Sequence, residues 1–307
     1  MDRREFLKKL FTYTATAGTT LLLGGAEKLF SRDTNARGLQ PDLVAVKGGE
    51  AEDMFDAGMK ALGGMGSFVK KGQTVAVKPN IGWDVSPELG ANTNPKLVGR
   101  IVKRCYEAGA KKVIVFDHTC NYWKNTYKSS AIEYYAKQEK AQMAPAHLEG
   151  YYQNVTVPDG KELKQAKVHE AILSSDVFIN VPVLKDHGSA RLTSSMKNLM
   201  GIVWDRGYWH RNDLHQCIAD FAACRKPDLN VVDAYRVMLG NGPRGVSASD
   251  VTLMKTQIIS RDMVAADTAA AKVFGVEPSG IEYIRIAAAR KLGEMDLNKL
   301  NIERITL

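Results

Sequence analysis

The sequence has only four cysteines, at 105, 120, 217 and 224, and no two of them form a Cys-x-x-Cys pair. That spacing excludes a ferredoxin-type cluster and a zinc ribbon, which need closely set thiolates. Cys217 and Cys224 fall on one expected helix, about 10 Å apart, too far for a disulfide within it. Pairing between distant cysteines stays open. The six histidines show no His-x-x-x-His or similar spacing, so the sequence assigns no metal ligand. A Gly-x-Ser-x-Gly elbow and the Gly-Lys-Ser/Thr ending of a Walker loop are also missing. No internal repeat or low-complexity tract is present. The basic residues are scattered and never form a dense run, so the formal charge of +8 reads as solvated surface and nucleic acid is not expected as a partner.

What is present is the composition of an ordinary globular protein, 307 residues with 45% hydrophobic and 25% charged. The chain opens on Asp2-Arg3-Arg4-Glu5-Phe6-Leu7-Lys8, which resembles a twin-arginine export signal. An apolar stretch from Leu10 to Ala26 follows, diluted by small and hydroxyl residues and shorter than the roughly 20 residues a bilayer span needs. The alternative is a basic amphipathic helix. The signal reading makes residues 1–30 a removable peptide and 31–41 a polar linker. It implies passage through the twin-arginine translocon, a periplasmic or other extracytoplasmic destination, and no transmembrane anchor after cleavage.

From residue 42 onward, short apolar runs alternate with helical patterns. Leu43-Val44-Ala45-Val46 is the first expected strand, and a helix follows over about 50–62. Further strands are expected at 73–77, 112–116, 177–181, 229–232 and 257–260, with helices over 95–108 and 263–274. Strands that are apolar throughout and separated by helices predict an α/β fold, a mostly parallel, Rossmann-like sheet with helices on both faces. We therefore expect a single α/β domain over 42–307. An inserted α+β segment at about 120–168, rich in tyrosine and lysine, carries a helix and a small hairpin; it serves either as a lid or as surface elaboration.

In such sheets ligands bind beyond the carboxyl ends of the strands. Five expected strands end in polar residues of one kind: Lys78 and Asn80, Asp117, Lys185 and His187, Asp233, and Arg261-Asp262. Thr193-Ser194-Ser195 before Lys197 and Asn198 resembles a helix start, where free N–H groups attract anions. Lysines held near other cations can also lose basicity and act as bases. Gly240-Asn241-Gly242-Pro243-Arg244-Gly245 offers backbone N–H groups and a guanidinium, or is a plain surface turn. His215 lies near another helix start. The resulting candidates are Lys78, Asp117, Lys185, His187, Lys197 and Asp233 for catalysis. Asn80, Thr193, Ser194, Asn198, His215, Asn241, Gly242 and Arg244 are the candidates for holding a ligand.

Several of these runs together resemble domain-of-unknown-function family 362. They are Val77-Lys78-Pro79-Asn80, Thr93-Asn94-Pro95, residues 107–117, Asp176 through His187, Met196 through Gly201, Asp233 through Gly245, and Ser260 through Asp267. The resemblance implies the same Lys-x-His element, Lys185-Asp186-His187, at a strand end. It also implies an association with iron–sulfur proteins, although this chain lacks the cysteine segments that some members carry. The expected function is an exported enzyme that binds a small anionic substrate or cofactor, tilted towards redox chemistry and a redox partner protein. The alternative is a non-catalytic cofactor-binding or assembly protein for such a partner. The sequence names no cofactor.

Overall fold

Alternating side chains in the strands feed two separate apolar layers. In the first strand, Leu43 and Ala45 belong to one core cluster, while Val44 and Val46 belong to the other. The same division recurs where Ala76 and Phe178 face one layer and Val75, Val77 and Ile179 face its opposite. A sheet with two apolar faces must be covered on both. Helices 51–61 and 95–107 pack in one layer, and helices 214–221, 263–274 and 282–289 in the other.

The computed structural model describes Leu29 and residues 40–307. Apart from Leu29, Gln40 and Pro41, the expected export signal and linker lie outside those residues. Among the described residues the strands are β1 (Leu43–Lys47), β2 (Thr74–Pro79), β3 (Lys112–Val115), β4 (Gln142–Met143), β5 (Tyr152–Thr156) and β6 (Gln165–His169). They continue with β7 (Val177–Val181), β8 (Val183–His187), β9 (Arg191–Thr193), β10 (Leu229–Met238), β11 (Val251–Ser260) and β12 (Ile302–Thr306). The main sheet runs β12-β1-β11-β10-β7-β2-β3-β4. Along this path every pairing is parallel except the two made by β11. The molecule is thus the mostly parallel α/β fold that the pattern predicts. No helix among the described residues is long and apolar enough to cross a membrane.

Three details depart from expectation. Because β11 runs against its neighbours, Arg261-Asp262 lies at the opposite end of the sheet from Lys78 and Asp117. There Asp262 caps helix 263–274, accepting from Val264 N and Ala265 N. The strand expected to stop at Val232 continues to Met238, which places Asp233 inside β10. Helix 214–221 ends before Cys224, and all four cysteines are free thiols.

Within 120–168, helices 123–129 and 132–138 lead to β4, which joins the main sheet beside β3. Next come β5 and β6, an antiparallel pair that forms its own small sheet. The stretch between them is fastened to the body by Asp220. Its carboxylate is fully buried and accepts from Glu162 N at 2.8 Å, Leu163 N at 3.0 Å and Arg290 Nη1 at 2.7 Å. Removing one member of such a buried pair strands the other charge. Asp220→Ala is therefore expected to lower unfolding stability by about 3–5 kcal/mol in urea titration. A loss under about 1 kcal/mol, the worth of an exposed pair, would show that this carboxylate is not the fastening.

Candidate functional site

Lys78 ends the apolar part of β2 and Asp117 follows β3, so parallel pairing of these strands sets the two side chains next to each other. Lys78 Nζ lies 3.0 Å from Asp117 Oδ1, with both groups essentially shielded from water. A buried pair needs further hydrogen bonds to offset desolvation. Lys78 Nζ donates to Asn198 Oδ1 at 2.7 Å, and Asp117 Oδ2 accepts from Ile81 N at 2.6 Å. Gly201 packs directly over the pair. A Cβ there would sit 1.9 Å from Asp117 Oδ1 and 2.5 Å from Lys78 Nζ.

A run of buried amides holds this centre in register. Asn198 Nδ2 donates to Asn180 Oδ1 at 2.9 Å, and Asn180 Nδ2 donates to Asn230 Oδ1 and Ser195 O, each at 3.0 Å. β2, β7, β10 and the short helix 195–198 are thereby tied to one network. Pro182, lacking a backbone donor, interrupts the ladder between β7 and β8. Its carbonyl accepts from Asp233 N, and the chain resumes along β10 to deliver Lys185 beside Asn80.

These side chains open onto a cavity of about 500 Å³. Of the residues expected from sequence, Lys78, Asn80, Asp117, Lys185, His187, Thr193, Lys197 and Asn198 line it. Cys120, Arg206 and His210 join them; the last two fall in the candidate stretch from Lys185 to His215, but the sequence assigned a role to none of the three. Arg206 is fixed by His118 O at 2.7 Å and Thr119 O at 2.9 Å. Lys78, Lys185, Lys197 and Arg206 thus share the cavity with one carboxylate, Asp117. Lys197, partly exposed, has no hydrogen-bond or ion-pair partner among the described residues.

Crowding of like charge out of water lowers the basicity of these groups. Burial foremost, with Lys197 and Lys78 nearby, brings Lys185 down to about 7. Desolvation and then Arg206 bring Lys197 down to about 8. Desolvation also lowers Lys78, against the pull of Asp117. His187 is pushed down to about 3, first by burial and then by Lys197 and Lys185, so its ring is neutral. Its Nδ1 accepts from Ala190 N at 3.2 Å, which assigns the ring proton to Nε2.

The remaining candidates are elsewhere. Asp233 accepts from Asn94 N at 2.7 Å and Tyr235 N at 3.0 Å, and burial raises it to about 6. Ser194 is buried outside the cavity, and His215 stacks on Tyr283 with ring centres 5.9 Å apart. Arg244 is exposed, and Asn241 donates to Asp250 Oδ1 at 2.7 Å; of their loop, Pro243 reaches the cavity. Gly242 N donates to Asp186 Oδ2, and a Cβ there would come 2.0 Å from Asp186 O. The helix start at Ser195 is already filled by the protein's own anion: Asp267 accepts from Ser195 N and Met196 N. Beyond the segment carrying Arg206 and His210, a second cavity of about 570 Å³ lies against Trp204, Tyr208 and β6. Among the described residues, no three His, Cys, Asp or Glu side chains come together as a metal-binding group.

Fold and site together define an α/β protein with a cationic crevice at the strand ends of a mostly parallel sheet. The chain belongs to the family described as Domain of unknown function (DUF362), whose model matches residues 75–272. Thylakoid-associated protein sll1697 of Synechocystis sp. is 26% identical over 243 residues, which is 76% of this chain and 73% of that protein. The lactate racemase apoprotein of Thermoanaerobacterium thermosaccharolyticum is similar over 73% of this chain, at 13% identity and a TM-score of 0.45. A Thermotoga maritima protein is similar over 78% of it, at 9% identity and a TM-score of 0.45. The chain spans 55% and 59% of the lengths of these two structures.

The contact at Gly201 yields a direct test. Gly201→Ala forces the Lys78–Asp117 pair apart or the loop outward. We expect a stability loss of about 3 kcal/mol in chemical denaturation, at the upper end of overpacking penalties. An unchanged midpoint would mean that the loop is not seated on the ion pair.

Proposed function

We propose that the crevice binds a small anionic substrate or cofactor and that the protein is an enzyme acting on that ligand. The observation carrying this reading is the charge imbalance in the cavity: four cations, one of them unpartnered, against one carboxylate that is already paired. Lys197 and Arg206 attract and hold the anion, and Asn80 and Asn198 orient it. His187 donates from Nε2. Lys185 moves the proton, because a group titrating at about 7 is both acid and base at neutral pH. Asp233 supports the site through Asn94 rather than by touching the ligand.

The same proposal places the protein outside the cytoplasm, exported folded through the twin-arginine translocon and serving a redox partner. Arg3-Arg4 and the family's iron–sulfur associations support it. The thylakoid association of the cyanobacterial relative supports a place of work beside a membrane. The alternative, a non-catalytic holder of a cofactor for such a partner, is favoured by one observation: Asp117 is engaged by Lys78 and Ile81 N and so is not free as an acid or base. Native mass spectrometry of the purified full-length protein separates the two. A ligand retained stoichiometrically and never converted identifies the holder; a converted one identifies the enzyme.

Two outcomes test anion binding by calorimetry with inorganic phosphate. Lys197→Met should weaken it about tenfold, equivalent to ~1.4 kcal/mol. Binding of inorganic sulfate, which keeps its charge over this range whereas phosphate gains one, should also fall as pH rises through 7 and 8, since Lys185 and Lys197 lose their positive charge there. The sign is fixed: affinity that rises with pH, or is indifferent to Lys197, sinks this reading.

A further inference from the structure

Cys120 opens onto the cationic cavity and differs from the other three thiols. Cys105 and Cys217 are buried, and desolvation pushes both up to about 12; burial also raises Cys224. Cys120 is exposed. Its N–H donates to Gly82 O at 2.8 Å, which fixes the backbone, and its Sγ lies 3.7 Å from Arg206 Nη1. A second feature of the cavity also calls for a ligand: Lys197 lines it and has no hydrogen-bond or ion-pair partner among the described residues.

We propose that Cys120 is the nucleophile of the crevice, attacking an anionic ligand whose electrophilic carbon stands next to its carboxylate or phosphate. This rests on the anion-binding reading above. The lysines and Arg206 take the anionic group, which leaves the neighbouring carbon facing the sulfur. The sulfur electron pair forms the S–C bond as the bond from that carbon to its leaving group breaks. The leaving group departs with its electron pair, and the thiol proton passes to solvent.

Alkylation of the full-length protein by iodoacetate and by iodoacetamide, followed at each cysteine by peptide mass spectrometry, tests the proposal. A thiol in free solution reacts faster with the uncharged reagent. At Cys120 the order should reverse, with iodoacetate about tenfold faster at low salt. The preference should shrink at roughly 0.5 M salt, and inorganic phosphate should protect the thiol. Cys120→Ala should abolish the fast label. Iodoacetamide reacting as fast or faster at Cys120, or fast labelling at Cys224 instead, overturns the proposal. Should the wild type bind phosphate by calorimetry while Cys120 shows no preference for iodoacetate, the nucleophile fails and the anion site stands. Absence of phosphate binding itself rejects the anion site.

Discussion

The Lys78–Asp117 ion pair beneath Gly201 is the constraint on which the other site residues depend. Two charges removed from water are stable only when each finds further polar partners. Here the partners come from distant parts of the chain: Ile81 after β2, Asn198 from the short helix, and through it Asn180 and Asn230. Satisfying the pair therefore fixes where β2, β3, β7, β10 and the loop at Gly201 stand relative to one another. Lys185, Lys197 and Arg206 inherit their positions from that arrangement.

Placing more cations around this centre works against stability, because ammonium groups repel and burial penalises their charged forms. The shifts at Lys185 and Lys197 record that penalty. Folding tolerates it because the sheet supplies two large apolar layers, which leaves the crevice free to stay undercompensated. An anion entering it would relieve repulsion already built in. The same cost explains why Asn, not Asp, fills the buried positions 180, 198 and 230, where an amide both donates and accepts without adding charge.

Much of this was legible in the sequence, for identifiable reasons. Apolar runs such as Val75-Ala76-Val77 and Val177 through Val181 announce strands buried on both faces, and their polar ends gave Lys78, Asp117 and Lys185. Periodicity reveals which face a residue takes but not which way a strand runs, so the reversal of β11 was hidden, and Arg261-Asp262 was expected at the wrong end. The helix start at Ser195 read as vacant because Asp267, which fills it, stands 72 residues further along the chain. Arg206 and Cys120 follow expected elements at irregular distances, and no spacing rule singles them out. The Gly240–Gly245 loop shows the converse. Its composition suggested a ligand cradle, yet its tight glycine seats the loop on Asp186 and turns Asn241 towards Asp250.

The edge of the sheet formed by β12, β1 and β11 has a consequence for the order of events in synthesis. β1 emerges early, yet its partners are residues 251–260 and 302–306, and Leu307 N closes onto Lys47 O. Until residues 251–260 have left the ribosome β1 has no neighbour, and until residues 302–306 follow it has one on a single side. Contacts of such long sequence separation form slowly and expose unpaired edges meanwhile. A chain threaded across a membrane with its amino end leading would part β1 from the strands it waits for. Completing the sheet before any such passage would keep β1 with residues 251–260 and 302–306.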